Sequence, residues 1–277
     1  MKKHLSILFP QWQGGGILAT YEGAMSLEKY YLKGFEYETI PVEMDEDLTV
    51  KNNIKGYDPI MRQFATYAEL VRERHPETIF TMGGGDDVDI LPPAYMNELL
   101  DGDMTVAFFD AHGDLNSPES SPSKNLHGMP LRAMLGETDE AILDLMGRPL
   151  KPEQIVMIGT RDCDPPEEEY IRAHNMTVVR SEEVNEDAGC VIRSLRDKGS
   201  RNIYIHIDID VIDPEDFPNQ PVPAPDGIRK NRFIDALDAI AGSFNIGGIC
   251  MLGYTRMDDG LDPAIKRIVD MGMKQSF

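Results

Sequence analysis

The sequence predicts a three-layer α/β/α fold built on a mainly parallel sheet of about eight strands. Three observations predict it. Short β-rich runs alternate with amphipathic stretches, several of these runs are apolar throughout, and acidic and histidine-bearing segments follow directly after them. Alternation of strand and helix marks parallel βαβ construction. Strands covered on both faces lose the in-and-out alternation of a half-exposed sheet. Ligands of such sheets bind beyond the carboxyl ends of the strands, where polar residues are needed.

Taken in order, the predicted strands are Leu5 to Phe9, Tyr37 to Val42, Thr78 to Met82, Thr105 to Asp110, Ile155 to Gly159, Thr177 to Arg180, Asn202 to Asp208 and Gly248 to Leu252. The segments MGGGDD, FDAHGD, GTRDCD and HIDIDVIDP each follow or finish one of the apolar runs. Between the strands, Met61, Phe64, Ala68 and Val71 share one helical face, and so do Phe233, Leu237 and Ile240. No internal repeat, low-complexity tract or Pro/Ser-rich linker divides the chain, so residues 1–277 are expected to form a single domain.

Composition narrows the function. With 41% hydrophobic and 27% charged residues, the chain reads as an ordered globular protein. A net charge of −21 repels phosphate backbones and anionic membrane surfaces, and attracts divalent cations and basic amino acids. Nucleic acid and membrane are therefore not expected as partners. Cys163, Cys190 and Cys250 are odd in number and widely spaced, which gives neither a disulfide framework nor a CxxC motif. Cys190 and Cys250 read as core residues. The opening MKKHLSILFP has too short an apolar run for a signal peptide, and no stretch approaches the roughly 18 apolar residues of a membrane span. The expected location is the cytoplasm.

Two segments carry the chemistry. Asp110 and His112 are two apart and share a face, and Asp114 can reach back from the loop. Asp208 and Asp210 likewise share a face after His206, with Asp213 before a proline. Neighbouring strands ending this way bring several carboxylates and an imidazole into a small volume. Such a group is stable in a buried place only if cations or protons compensate it. Carboxylate oxygens with an imidazole nitrogen suit manganese, magnesium or iron. Two such ions about 4 Å apart would share carboxylates and activate a water.

At these residues the chain resembles the ureohydrolase family (arginase, agmatinase, formiminoglutamase), with its strongest likeness to the arginase branch. The family patterns GGDHS, DAHxD, HG followed by a proline, and SxDxDxxDP stand here as Gly84-Gly85-Asp86-Asp87-Val88, Asp110 to Asp114, His127-Gly128-Met129-Pro130 and His206 to Pro214. The resemblance implies a manganese-dependent hydrolase that cleaves a C–N bond of a guanidino amino acid and releases urea. It implies two manganese ions per chain, held by Asp87, Asp110, His112, Asp114, Asp208 and Asp210. Asp114 would orient the attacking water, and His127 would shuttle a proton. Asn116, Ser121 and Ser123 would bind the substrate α-carboxylate, and Asp164 its α-amino group. Family members are commonly homo-oligomers.

The pattern is broken at four positions. Asp87 replaces the family's metal-binding histidine. If it turns away, one tightly bound metal is the alternative. The family's guanidinium-binding glutamate aligns with Gly253, and its GTP-loop threonine with Val222. On that alignment, Gly253→Glu is expected to improve arginine turnover, and Asp258 or Asp259 is a candidate substitute carboxylate. His206 stands where the family has serine and reads as a packed residue beside the ligands. These departures keep two alternatives open: a formimino-amino-acid hydrolase or amide deacetylase on the same fold, and an amino-acid-binding protein without turnover.

Overall fold

In the computed structural model, residues 3–44, 48–255 and 261–274 are described. The strands are β1 (His4–Leu8), β2 (Glu38–Thr39), β3 (Val50–Lys51), β4 (Ile54–Lys55), β5 (Thr78–Met82), β6 (Thr105–Phe109), β7 (Ile155–Ile158), β8 (Thr177–Val179), β9 (Asn202–Asp208) and β10 (Asn245–Leu252). The helices are α1 (Leu18–Tyr31), α2 (Tyr57–Arg74), α3 (Leu91–Leu99), α4 (Pro130–Met134), α5 (Glu140–Leu143), α6 (Pro165–Ala173), α7 (Ser181–Glu186), α8 (Gly189–Asp197), α9 (Lys230–Ala241) and α10 (Pro263–Met273). Eight strands form one sheet in the order β2-β1-β5-β10-β9-β6-β7-β8, and every pairing in it is parallel. The expected α/β/α sandwich is therefore present, with a wholly parallel sheet among the described residues.

The two faces of the sheet account for the uninterrupted apolar runs. Ala107, Phe109, Ile203, Ile205 and Met251 pack with α1, α8, α9 and α10 on one side. Val106, Phe108, Tyr204 and Cys250 pack with α2, α3 and α4 on the other. Successive side chains of a strand go to opposite faces, so a strand covered on both has apolar residues at nearly every position. On α2, Phe64, Ala68 and Val71 are buried as the spacing predicts, whereas Met61 is only partly covered. Phe233, Leu237 and Ile240 of α9 are fully buried. Phe64→Ala is accordingly expected to lower stability by about 3–5 kcal/mol through loss of a buried ring and the cavity left behind. Met61→Ala is expected to cost far less. The guanidinium midpoints of the two variants check this difference.

The structure departs from the sequence reading in a few places. The expected strand Tyr37 to Val42 shortens to Glu38–Thr39 at the sheet edge, where Pro41 cannot donate to a ladder. The last strand begins earlier, at Asn245, and carries a bulge between Ile246 and Gly248. Cys250 is buried as expected, but Cys190 on α8 is only partly buried. The hairpin β3–β4 was not foreseen. Its turn residues Asn52 and Asn53 have φ of 52° and 60°, a conformation that asparagine tolerates, and the Asn-Asn pair was the signal for it. No helix among the described residues is long and apolar enough to cross a membrane.

Candidate metal centre and substrate cleft

The central strands β5, β10, β9 and β6 are neighbours, so the segments leaving their carboxyl ends converge. A 3-10 turn, Asp86–Asp89, follows β5. After β6, the His112 amide donates to Asp110 Oδ1 (2.7 Å) and the Ala111 amide to Asp210 Oδ1 (3.1 Å). Asp114 holds a left-handed backbone, φ 52°, at the point where the chain turns away. After β9, the Asp210 amide donates to Asp208 Oδ1 (3.0 Å), which locks the two aspartates into one turn. Arg161 braces this turn from outside by donating to the carbonyls of Asp210 and Ala224 (2.8 Å each).

Two clusters of ligand-type atoms result. In the first, Asp110, His112 and Asp210 each offer an atom within 4.8 Å of the others, and His112 Nδ1 lies 3.0 Å from Asp210 Oδ2. The second joins Asp86, Asp114 and His206 within the same limit. Asp86 Oδ1, Asp110 Oδ2 and Asp114 Oδ2 are buried and have no hydrogen-bond partner. Bare carboxylate oxygens facing one another, with imidazole nitrogen among them, are a donor set that suits divalent cations with oxygen and nitrogen preference.

The electrostatics agree. Burial, reinforced by neighbouring carboxylates, pushes Asp208 and Asp114 well above the usual carboxylate range and raises Asp210 to about 6. Burial acts on Asp110 in the same direction, but His112 and His206 outweigh it and hold this carboxyl below its ordinary value. For His112, burial disfavours the charged ring, yet Asp110 and Asp210 raise it to about 11. With no cation present these acids compete for protons. Divalent cations replace those protons and let the acids ionise together.

The structure places Asp87 differently from the expectation. Asp86, not Asp87, belongs to a cluster. Asp87 is fully buried with both carboxylate oxygens unpartnered, and burial raises it to about 7. A Cβ on Gly14 would lie 2.1 Å from its Oδ1, so the carboxylate is packed under the Gly14 backbone. Consecutive side chains of a 3-10 turn point about 120° apart, which is why Asp86 and Asp87 face different neighbours. Asp86 was missed because the motif drew attention to the residue after it.

A cleft of about 280 Å³ opens above the clusters. It is lined by Asp86, His112, Asp114, Asp208 and Asp210, by His127, and by Asn116, Ser121, Ser123 and Asp164. Asp110 lies beneath, 1% exposed. The residues expected to ligate metal, move a proton or bind substrate thus gather at this place, except that Asp87 is set aside and Asp208 lines the cleft without belonging to either ligand group. Asn116 Nδ2 donates to Asp164 Oδ2 (2.9 Å), and the Ser121 and Ser123 hydroxyls are 3.4 Å apart. His127 Nδ1 lies 3.6 Å from Asp86 Oδ2. Burial lowers the His127 pKa, but Asp86 and Asp87 more than offset it, so the net shift is upward.

Glu167 is a second residue the sequence reading missed. It lines the cleft and accepts from the Leu115 amide (2.8 Å) and the Asp164 amide (2.7 Å), which ties the Asp114 loop to the start of α6. Its signal was the capping box Asp164-Pro165-Pro166-Glu167. Asp213 accepts from the Glu215 and Gly227 amides and shapes the loop after β9.

Gly253 and Val222 decide the far end of the site. Gly253 has φ 66°, and a Cβ there would lie 2.2 Å from Asp208 Oδ1. The position accepts no side chain without displacing the Asp208 carboxylate, so the geometry opposes the expectation that Gly253→Glu restores a guanidinium partner. Val222 lines the cleft with an apolar side chain. Asp258 and Asp259 lie outside the described residues. His206 is buried as expected, stacked on Phe108 with ring centroids 3.9 Å apart.

A wholly parallel α/β sheet with two oxygen-and-imidazole clusters beyond its central strands defines an α/β protein with a candidate two-metal centre. The description "Arginase family" matches residues 17–250, and the chain belongs to the arginase family. It is 38% identical to the arginase of Bacillus subtilis (strain 168) over 232 residues, which cover 80% of this chain and 76% of that protein. It is 30% identical to the arginase of Staphylococcus aureus (strain MRSA252) over 187 residues. That match covers 64% of this chain and 61% of the Staphylococcus protein, less than two thirds of its length. The fold is similar to that of Entamoeba histolytica arginase in complex with L-ornithine, with a TM-score of 0.79 at 21% identity, covering 99% of this chain and 97% of that one. Formimidoylglutamase of Bacillus subtilis is also similar, with a TM-score of 0.69 at 19% identity, covering 100% and 88%.

Proposed function

We propose that the chain is a manganese-dependent hydrolase that cleaves a C–N bond of a guanidino amino acid and releases urea. The observation that supports this most is the single cleft that joins both ligand clusters to Asn116, Ser121, Ser123 and Asp164. Asp110, His112 and Asp210 would hold one ion, and Asp86 and Asp114 the other, with Asp208 reaching both. The ions would supply an acidified water and stabilise negative charge as it develops on the substrate. Asp114 would accept a hydrogen bond from the attacking water and orient it. His127 delivers a proton to the leaving amine. Asn116, Ser121 and Ser123 donate to the substrate α-carboxylate, and Asp164 accepts from its ammonium. A donor set of carboxylate oxygen and imidazole nitrogen is compatible with manganese, and the family resemblance selects it over magnesium or iron.

The same reading gives a cytoplasmic homo-oligomer whose partner is a small amino-acid substrate. Three free cysteines among the described residues fit a reducing compartment, and a charge of −21 disfavours nucleic acid and anionic membranes.

Urea release from a panel of guanidino amino acids, with the manganese content of the reconstituted protein measured alongside, tests the proposal. Urea with about two ions per chain supports it. A second reading is favoured by Gly253, which offers no carboxylate to grip a guanidinium. On that reading the substrate is a formimino amino acid or an amide, and the products are formamide or a carboxylic acid. Full metal without urea selects it, and a protein that never takes up metal would be an amino-acid binder.

A further inference from the structure

We propose that His206 is itself a metal ligand, supplying through Nε2 the imidazole of the cluster that contains Asp86 and Asp114. The inference rests on the two-metal reading of the site and adds to it a residue from inside the sheet.

Four observations carry it. His206 lies on β9 with no solvent exposure, and one of its ring nitrogens is within 4.8 Å of ligand oxygens of Asp86 and Asp114. Its two nitrogens are in unlike surroundings. Nδ1 is 2.8 Å from Asp89 Oδ2, while Nε2 is buried without a hydrogen-bond partner, 3.6 Å from Asp110 Oδ2. Asp89 is held in turn by the Tyr204 hydroxyl, which donates to its Oδ1. The ring is clamped against Phe108 with an interplanar angle of 6°.

These contacts fix the direction of the ring. In the neutral ring, an Asp89 carboxylate accepting from Nδ1–H leaves the lone pair on Nε2, the nitrogen 3.6 Å from Asp110 Oδ2; in the metal-free protein that nitrogen can carry a proton, which an ion would displace. A carboxylate–histidine pair of this kind orients an imidazole toward a metal and raises its basicity. The lone pair of Nε2 and the bare oxygens of Asp86 and Asp114 repel one another until a cation stands between them. Asp87, packed under Gly14, leaves room for that role.

The test is the number and affinity of bound ions, read by manganese titration against a competing chelator. Wild-type protein is expected to bind two ions. His206→Gln is expected to weaken one of them by about 100-fold and leave the other nearly unchanged, and Asp89→Asn to weaken the same ion by about 10- to 100-fold. Circular dichroism of the metal-free variants reports whether they fold. If His206→Gln does not fold, electron–nuclear double resonance of manganese-loaded wild type containing 15N-histidine decides. Its couplings are compared with and without His127→Asn. Imidazole nitrogens from two residues besides His127 support the proposal, and one overturns it. If His206 serves instead as a buried cation balancing Asp89 and Asp110, the Gln variant binds both ions as tightly as wild type or more so, which also overturns it. Wild type that binds no metal would refute the two-metal reading itself.

Discussion

Asp208→Ala is expected to abolish hydrolysis, with a fall in kcat/KM of about a thousandfold or more, the equivalent of several kcal/mol of lost transition-state stabilisation. Asp208 ends β9, borders the cleft and accepts from the Asp210 amide, so its removal takes away a carboxylate and loosens the turn that presents Asp210. The variant should still fold. Burial and the neighbouring acids already push Asp208 toward its protonated form, so the metal-free protein gains nothing from an ionised group there. Metal-free Asp208→Ala is thus expected to melt at the same temperature as metal-free wild type or higher, and manganese is expected to stabilise it less. Unchanged turnover in this variant would remove Asp208 from the metal centre. A folded variant without activity would separate the loss of chemistry from loss of fold.

Gly253→Glu is the second large effect, and its direction opposes the one read from the sequence. A side chain at φ 66° costs about 1–2 kcal/mol in backbone strain, and its Cβ would overlap Asp208 Oδ1 at 2.2 Å. A new carboxylate would also join an already crowded acidic cluster. The expected result is manganese affinity reduced by about 10- to 100-fold, as when the support of a ligand is lost, with no gain in arginine turnover. Metal titration and a urea assay on the same preparation check both halves. A variant that keeps two ions and turns over arginine faster would show that the segment after β10 can rearrange to seat a carboxylate.

Much of the architecture was legible because buried parallel strands write themselves as uninterrupted apolar runs. All eight strands of the sheet overlap a predicted strand, and β5 and β9 match residue for residue, whereas β2 keeps only the polar pair Glu38–Thr39 and β1 and β10 begin before their predicted runs. The hairpin β3–β4 was not legible by that signal, because two-residue strands on an exposed loop carry no periodicity. The cleft residues were legible through spacing: Asp110 with His112, and Asp208 with Asp210, follow from the alternation of a strand end. What spacing does not encode is the direction of a side chain in a 3-10 turn, which is why Asp86 rather than Asp87 stands beside Asp114 and His206. Nor does it encode long-range second partners. Glu167 is 52 positions from Leu115, whose amide it holds, and Asp89 is 117 from His206.

The order of the sheet has a consequence for how the centre comes into being. β10 lies between β5 and β9, yet it follows every other strand in the chain. Before it arrives, the nascent polypeptide has two half-sheets: β2-β1-β5, which ends in Asp86, and β9-β6-β7-β8, which bears Asp110, Asp114, Asp208 and Asp210. Each half presents a bare strand edge, the surface on which chains pair wrongly with one another. The two groups of acids meet only when β10 zips both edges together. Only the cluster of Asp86, Asp114 and His206 spans the two halves, so ion uptake there would report the closing step of folding, whereas Asp110, His112 and Asp210 all belong to one half.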